Sequence, residues 1–272
     1  MFEVEFLIKK LSREFKNVFL DIVNSVNEEI DFEDLIKAIE EKNLSGVKRA
    51  VKFEKFQQNL KQFSPVILQT INIAANEMEK SKHILLDLDR EVNLSQVKTV
   101  TNKLITGLTE QQDKIIKDIV YDGIDRQLSV KTIADKIKLN INLNATQVKT
   151  LKSIEDNLIS KNANKEVINK IIEEKAKQML KTRAETIAVT ESANAVSAGR
   201  DLMQKQMFLD GDIPTNTKKE WITASDERQC GNCAPMNGQI VSINELFTTG
   251  FGAKVERPPL HARCRCFIVI KF

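Results

Sequence analysis

The residue types able to do chemistry are crowded into the last quarter of the chain. The single tryptophan, all four cysteines and one of the two histidines fall between Trp221 and Phe272. They run Cys230-Gly-Asn-Cys233 and, after a gap, His261-Ala-Arg-Cys264-Arg-Cys266. Thiolates and imidazole are the donors that zinc prefers in tetrahedral sites, and such a site can hold together a piece too small for its own core. Cys230, Cys233, His261, Cys264 and Cys266 are five candidates for four positions. A structural Zn2+ is the reading the pattern favours, with buried free thiols and a disulfide as alternatives. In an extended C-x-C the two side chains share a face of the strand, yet strand geometry also lets them diverge from a single metal. A catalytic zinc would need an open position and an acid–base partner, and nothing in the pattern compels one. A thiol–disulfide C-x2-C motif would follow a strand and open a long helix, which this one does not.

Composition narrows the classes. There are 41 Lys and Arg against 38 Asp and Glu, for a formal charge of +3, so the chain as a whole is not a nucleic-acid glove. There is no 20-residue apolar run, and Glu3, Glu5, Lys9 and Lys10 interrupt the start, so neither a membrane span nor a signal peptide is expected. Few, clustered cysteines fit synthesis in a reducing cytosol better than a disulfide scaffold.

The elements that must position the cysteines are mostly helical. Eight of the 13 phenylalanines lie in the first 63 residues and none between Phe63 and Phe208, which implies an aromatic-packed head and an aliphatic middle. Phe15, Phe19, Ile22 and Val26 repeat at helical spacing. Asp31 is placed to cap a helix over Phe32 to Ile39, and residues 48–62 read as one helix with Phe53, Phe56 and Leu60 on one side. Its lysines read as a solvated face or as a contact to a partner or DNA. Ser64-Pro65 suits a helix start. His83 reads as an ordinary helical histidine. Similar stretches at Leu94-Ser-Gln-Val97 and Ala145-Thr-Gln-Val148 suggest hydroxyl-capped helices, the first ending near Gly107 and followed by another over 111–127. Ser129 caps a short helix reaching Ile137, from which a helix-turn-helix would need a basic recognition face. Residues 166–208 form the strongest helical segment, with Ala184, Ala188, Glu191, Ala195 and Ala198 on one small-residue face. Glu191 there must be hydrogen-bonded or ion-paired if buried, with Arg183 or Arg200 as candidate partners and a catalytic acid as the functional alternative.

After Phe208 the texture changes. Residues 219–224 read as a strand with Trp221 and Thr223 on one face. Asn237-Gly238 reads as a hairpin turn, 239–241 as a short strand, 244–249 as a short helix or turn, and 266–270 as the closing strand. The expected fold class is α+β: long helices followed by a small mixed module with short strands. The expected division is 1–110, a helical region Phe-rich at its start; 111–208, helical; and 209–272, the cysteine module. Arg257, Arg263 and Arg265 are candidate contacts to phosphate or an acidic partner surface, or else ion-pair with Asp226 and Glu227.

The run Arg183-Ala-Glu-Thr-Ile-Ala-Val-Thr-Glu191, with Ala195 and Gly199, resembles the helix signature of the phage Mu F-type head-morphogenesis family. Trp221, Asp226, Arg228, Gly238, Phe247 and Pro259-Leu-His261-Ala-Arg-Cys264-Arg-Cys266 resemble its C-terminal half, and the likeness covers about 115–270. Cys230 and Cys233 stand where many members carry an Arg-and-His arrangement. The resemblance implies a minor capsid or head protein of a tailed phage or prophage. Such a protein works without turnover at the portal vertex or head interior, is assembled in the host cytoplasm, and meets portal protein, major capsid protein or packaged double-stranded DNA, in several copies per particle. It implies Arg183, Glu191, Trp221, Asp226, Arg228 and Gly238 as structural signature residues. Relatives with a toxin, nuclease or transferase domain carry it after this module, so ending at Phe272 points to no effector. The competing reading is a metal-dependent nuclease or other phage-encoded enzyme, for which the sequence offers no H-E-x-x-H or carboxylate cluster.

Overall fold

The computed structural model describes residues 2–78, 84–224 and 229–271. His83, Asp226, Glu227 and Arg228 lie outside them. Nine helices precede five short strands among the described residues, which is the α+β class expected. The helices are α1 (Phe2–Asn27), α2 (Phe32–Glu40), α3 (Leu44–Ala50), α4 (Phe53–Asn59), α5 (Phe63–Met78), α6 (Glu91–Asp125), α7 (Val130–Asn140), α8 (Ala145–Ser160) and α9 (Lys165–Leu209). The strands are β1 (Lys218–Ile222), β2 (Ile240–Ser242), β3 (Phe247–Thr248), β4 (Lys254–Val255) and β5 (Phe267–Lys271). By packing the chain forms two compact units. The first comprises residues 1–16, 63–103 and 186–272, the second residues 17–62 and 104–185.

The second unit is built from local signals that the sequence announces. Asp31 accepts the Asp34 N–H and Asn43 the Gly46 N–H, capping α2 and α3. Ser129 caps α7 as expected. For α8 the cap is Asn144, one residue before the helix, in a reciprocal capping box with Gln147; Thr146 is inside the first turn. Ser95 caps nothing, because α6 has already begun at Glu91 and runs unbroken past Gly107. A lone glycine costs a helix only about 1 kcal/mol, too little to end one with apolar residues continuing on one face. The reverse occurs at residues 48–62, where the expected single helix is two: Lys52 takes φ 55° between α3 and α4. Leu35, Ile39, Val47 and Val51 pack with Ile115, Ile116, Ile119, Ile133 and Ile137 in one core, and Leu143, Leu151, Ile168 and Ile172 in another.

Arg183 is buried in this unit at 3% exposure. Its Nη2 donates to Gln111 Oε1 at 3.1 Å and its guanidinium lies over the Phe19 ring at 5.8 Å. Nη1 has no partner among the described residues. Burial lowers its pKa to about 10. A base whose folded pKa is depressed carries its desolvation cost at every pH below that value, including neutrality. Arg183→Met is therefore expected to leave the protein as stable or about 1–3 kcal/mol more stable at pH 7, read as a denaturation midpoint. A drop of similar size would mean that the Gln111 and Phe19 contacts outweigh desolvation.

In the first unit, Phe15 and Phe63 stack at 6.1 Å, and Leu11, Ala74 and Val196 pack together. Gly211, at φ 80°, ends α9 with Asp212 N–H bonded back to the Met207 carbonyl. The module beyond is a three-stranded antiparallel sheet, order β2-β1-β5, with β3 and β4 as a separate ribbon. The β1–β5 register pairs Trp221 with Ile268. Trp221, fully buried, meets the Phe247 ring edge-on at 5.2 Å over a core with Met236 and Ile268. Two local expectations change. Residues 247–248 form β3 where a short helix or turn was expected. Asn237 has φ −60° and ψ 126° and only Gly238 is positive, at 77°. With Gln239 N–H bonded to the Met236 carbonyl this is a type II turn, which needs glycine at its third position only.

Candidate metal centre and its seat on the signature helix

Two tight turns carry the donors. Cys233 N–H bonds to the Cys230 carbonyl at 3.1 Å, closing the first turn, and the 3-10 helix Ala234–Met236 follows. Cys264 N–H bonds to the His261 carbonyl at 3.2 Å, closing the second, with Arg263 in the left-handed region at φ 57°. The turns bring the five expected residues together. His261 Nε2 lies 3.0 Å from Cys230 Sγ and 3.1 Å from Cys233 Sγ, and Cys233 Sγ lies 3.7 Å from Cys264 Sγ. Donor atoms of Cys230, Cys233 and His261 fall within 4.8 Å of one another, and so do those of Cys233, Cys264 and Cys266. Cys233 belongs to both groups and is the centre of the cluster. All four cysteines are free thiols.

The surroundings favour anionic sulfur in alternate positions. Cys264 is pulled down to about 5, first by the hydrogen bond from the Cys266 thiol and then by the backbone N–H groups of Cys266 and Leu260. Cys266 is pushed up as the donor in that pair and by burial. At Cys230 burial is outweighed by hydrogen bonds from the Cys233 thiol and from the N–H groups of Cys233 and Asn232, so its pKa falls. Burial pushes Cys233 up to about 12. His261 Nδ1 lies 2.8 Å from the Ala262 carbonyl, which requires Nδ1 to donate and aims Nε2 at the sulfurs. That second hydrogen bond is the usual support of a metal-bound imidazole. A sulfur-and-nitrogen cage of this kind fits zinc and not the oxygen-seeking calcium or magnesium.

The His261 turn is fastened to α9. Arg263 donates through its backbone N to Thr190 Oγ1 at 3.1 Å and through Nε to Thr186 Oγ1 at 3.0 Å. Arg257 Nη1 donates to Asn194 Oδ1 at 2.8 Å and less closely to the Asn194 carbonyl at 3.3 Å. Thr186, Thr190 and Asn194 are spaced four apart, so they form one strip along the helix. Glu191 accepts from Asn194 Nδ2 at 3.5 Å, and burial raises its pKa. Its partner is thus Asn194, which links it to Arg257, and neither Arg183 nor Arg200. Arg265 is half-buried between Cys264 and Cys266. Lys205 bridges Asp201 and Glu256 just beyond this strip.

The polar strip was not picked out from the sequence. Its signal was present: two threonines and an asparagine at a spacing of four inside an alanine-rich helix. A second missed residue is Asn237, whose Oδ1 accepts from both the backbone N and Oγ1 of Thr223 at 3.0 Å. It ties the end of β1 to the turn at Gly238, whose N–H reaches the Trp221 carbonyl at 2.8 Å.

A family model described as "Phage Mu protein F like protein" matches residues 98–269, well over half of the chain. The chain belongs to the Phage Mu protein F like family. The match opens inside α6 and closes inside β5, so in this family member it takes in α7, α8, the whole of α9 and both donor turns. No curated protein and no solved structure matches the chain. No described helix is long and apolar enough to cross a membrane.

Proposed function

We propose that this family member is a minor head protein: a non-enzymatic structural adaptor at the portal or inner capsid that assists head assembly, with portal or major capsid protein as its partner. It would work inside the virion head or at the portal vertex, having been assembled in the host cytoplasm. A zinc ion at the cysteine–histidine cluster would be structural. The family match carries the reading, and the site geometry supports it. Cys233 and Cys264 are 4% and 3% exposed, and the donor atoms lie against one another. The turn that carries His261 spends its remaining polar groups on α9, which suits a piece that locks a surface in place. A nuclease would need carboxylates beside the metal, and the described donor groups there are sulfur and imidazole.

The test is incorporation. Assembling heads are fractionated in the presence of the wild-type chain and of a variant with Cys230→Ser and Cys233→Ser. The wild type is expected to sediment with heads or their precursors, and the double variant to be strongly depleted from them while the soluble pool persists. A wild-type chain absent from both heads and precursors would overturn the adaptor reading.

A further inference from the structure

Five donors form two overlapping groups of three that share Cys233, whereas a tetrahedral metal takes four. We propose that the metal is held by Cys230, Cys233, His261 through Nε2, and Cys264, and that Cys266 stays outside the set of ligands. The assignment rests on the metal reading above and completes the first donor group with Cys264 from the second.

Three observations carry it. The first is matched turns. Cys230 with Cys233, and His261 with Cys264, are each the first and fourth residues of a turn closed by its own N–H to carbonyl bond, at 3.1 and 3.2 Å. Each turn therefore presents two donors from a fixed backbone, whereas Cys266 lies beyond the second turn, one residue before β5. The second is distance. Zinc–sulfur bonds of ~2.3 Å in a tetrahedron set a sulfur–sulfur edge of about 3.8 Å. The Cys233–Cys264 separation is already 3.7 Å. The Nε2 contacts at 3.0 and 3.1 Å need only a small opening to become sulfur–nitrogen edges.

The third is what else each side chain does. His261 Nδ1 is committed to the Ala262 carbonyl, so its other nitrogen has no task but to face the sulfurs. Cys266 packs against the core of Trp221, Met236, Phe247 and Ile268. The buried Trp221 Nε1 has no hydrogen-bond partner among the described residues, so that core already carries one unsatisfied group. Pulling Cys266 onto a metal would take it out of that core. Leaving it in place keeps its sulfur within 4.8 Å of the Cys264 ligand, where outer-shell groups of a metal site lie.

The experiment uses the full chain, freed of metal and titrated with Co2+, reading stoichiometry and the thiolate-to-metal absorption. Wild type and Cys266→Ser are expected to bind one ion per chain with the same absorption. The affinity of Cys266→Ser should fall by no more than the ~10–100-fold typical of an outer-shell change. Cys264→Ser is expected to lose about a third of the thiolate absorption, since one of three sulfur ligands goes. His261→Cys replaces nitrogen by sulfur without removing a ligand, so it is expected to keep one ion and gain about a third in absorption. Loss of absorption in Cys266→Ser together with an unchanged spectrum in His261→Cys would overturn the assignment and put Cys266 in the set. A wild-type chain that binds no Co2+ would sink the metal reading itself, an outcome distinct from the first.

Discussion

Removing the metal with a chelator, or replacing Cys230 and Cys233 together by serine, is expected to loosen residues 218–271 while most helical signal survives. The module has four fully or nearly buried core side chains and strands of two to five residues, against helices of up to 45 residues elsewhere. Structural zinc in small domains supplies an apparent ~10–16 kcal/mol at neutral pH, far more than such a core can replace. If only about 5 kcal/mol of that is lost net, the midpoint of a module this small falls by roughly 20–40 °C. The chain reports this cleanly, because its single tryptophan is Trp221, fully buried in the module core. Its emission should shift to that of a solvated indole at the lower temperature, ahead of the loss of helical dichroism. Coincident transitions at an unchanged midpoint, with and without chelator, would count against a structural metal.

The second large effect is expected at Gly199. A Cβ built there would lie 2.2 Å from the Ile71 carbonyl oxygen and 3.0 Å from the Ile71 carbonyl carbon and Cα. These are backbone atoms of α5, so no side chain can swing aside, and α5 and α9 would have to move apart. Gly199→Ala should cost about 2–4 kcal/mol in spite of alanine's better helix propensity. Gly107→Ala is the control. A Cβ at Gly107 meets nothing within 4 Å, so the same substitution should stabilise by about 0.5–1 kcal/mol. Opposite signs from one chemical change, read as urea midpoints, would place the cause in the α5–α9 contact. A Gly199→Ala protein as stable as wild type would remove that contact as the reason for glycine in the signature.

Seen together, these effects give the signature helix two jobs in the first unit. One side of α9 approaches α5 at Gly199, and the strip Thr186–Thr190–Asn194 receives Arg257 and Arg263 of the loop that carries His261. Glu191 serves the second job by holding Asn194. These polar contacts account for the threonines and asparagine in an alanine-rich run: Thr186 and Thr190 accept from Arg263, and Asn194 accepts from the half-buried Arg257.

Much of this was legible in the residues. Phe15, Phe19, Ile22 and Val26 are all fully buried, as their helical spacing requires. The caps at Asp31 and Ser129 and the five candidate metal donors are each carried by local chemistry: a side-chain oxygen near free N–H groups, and a donor type at short spacing. Other features were misjudged where local rules compete. Gly107 reads as a break and sits inside a helix, because a small propensity penalty loses to packing on the rest of α6. Residues 51–52 read as helix and form a corner, because α3 and α4 bury different faces.

The sequence by itself settled which groups are capable of binding a metal, and that long helices precede a small sheet, since residue type and periodicity are properties of the chain read locally. Tertiary structure alone decided that Cys233 stands at the centre of the five, that Arg257 and Arg263 reach α9, and that Gly199 faces a carbonyl of α5. Those facts join residues between about 30 and 130 positions apart. No local spacing rule reaches that far, because such contacts are set by how whole elements pack.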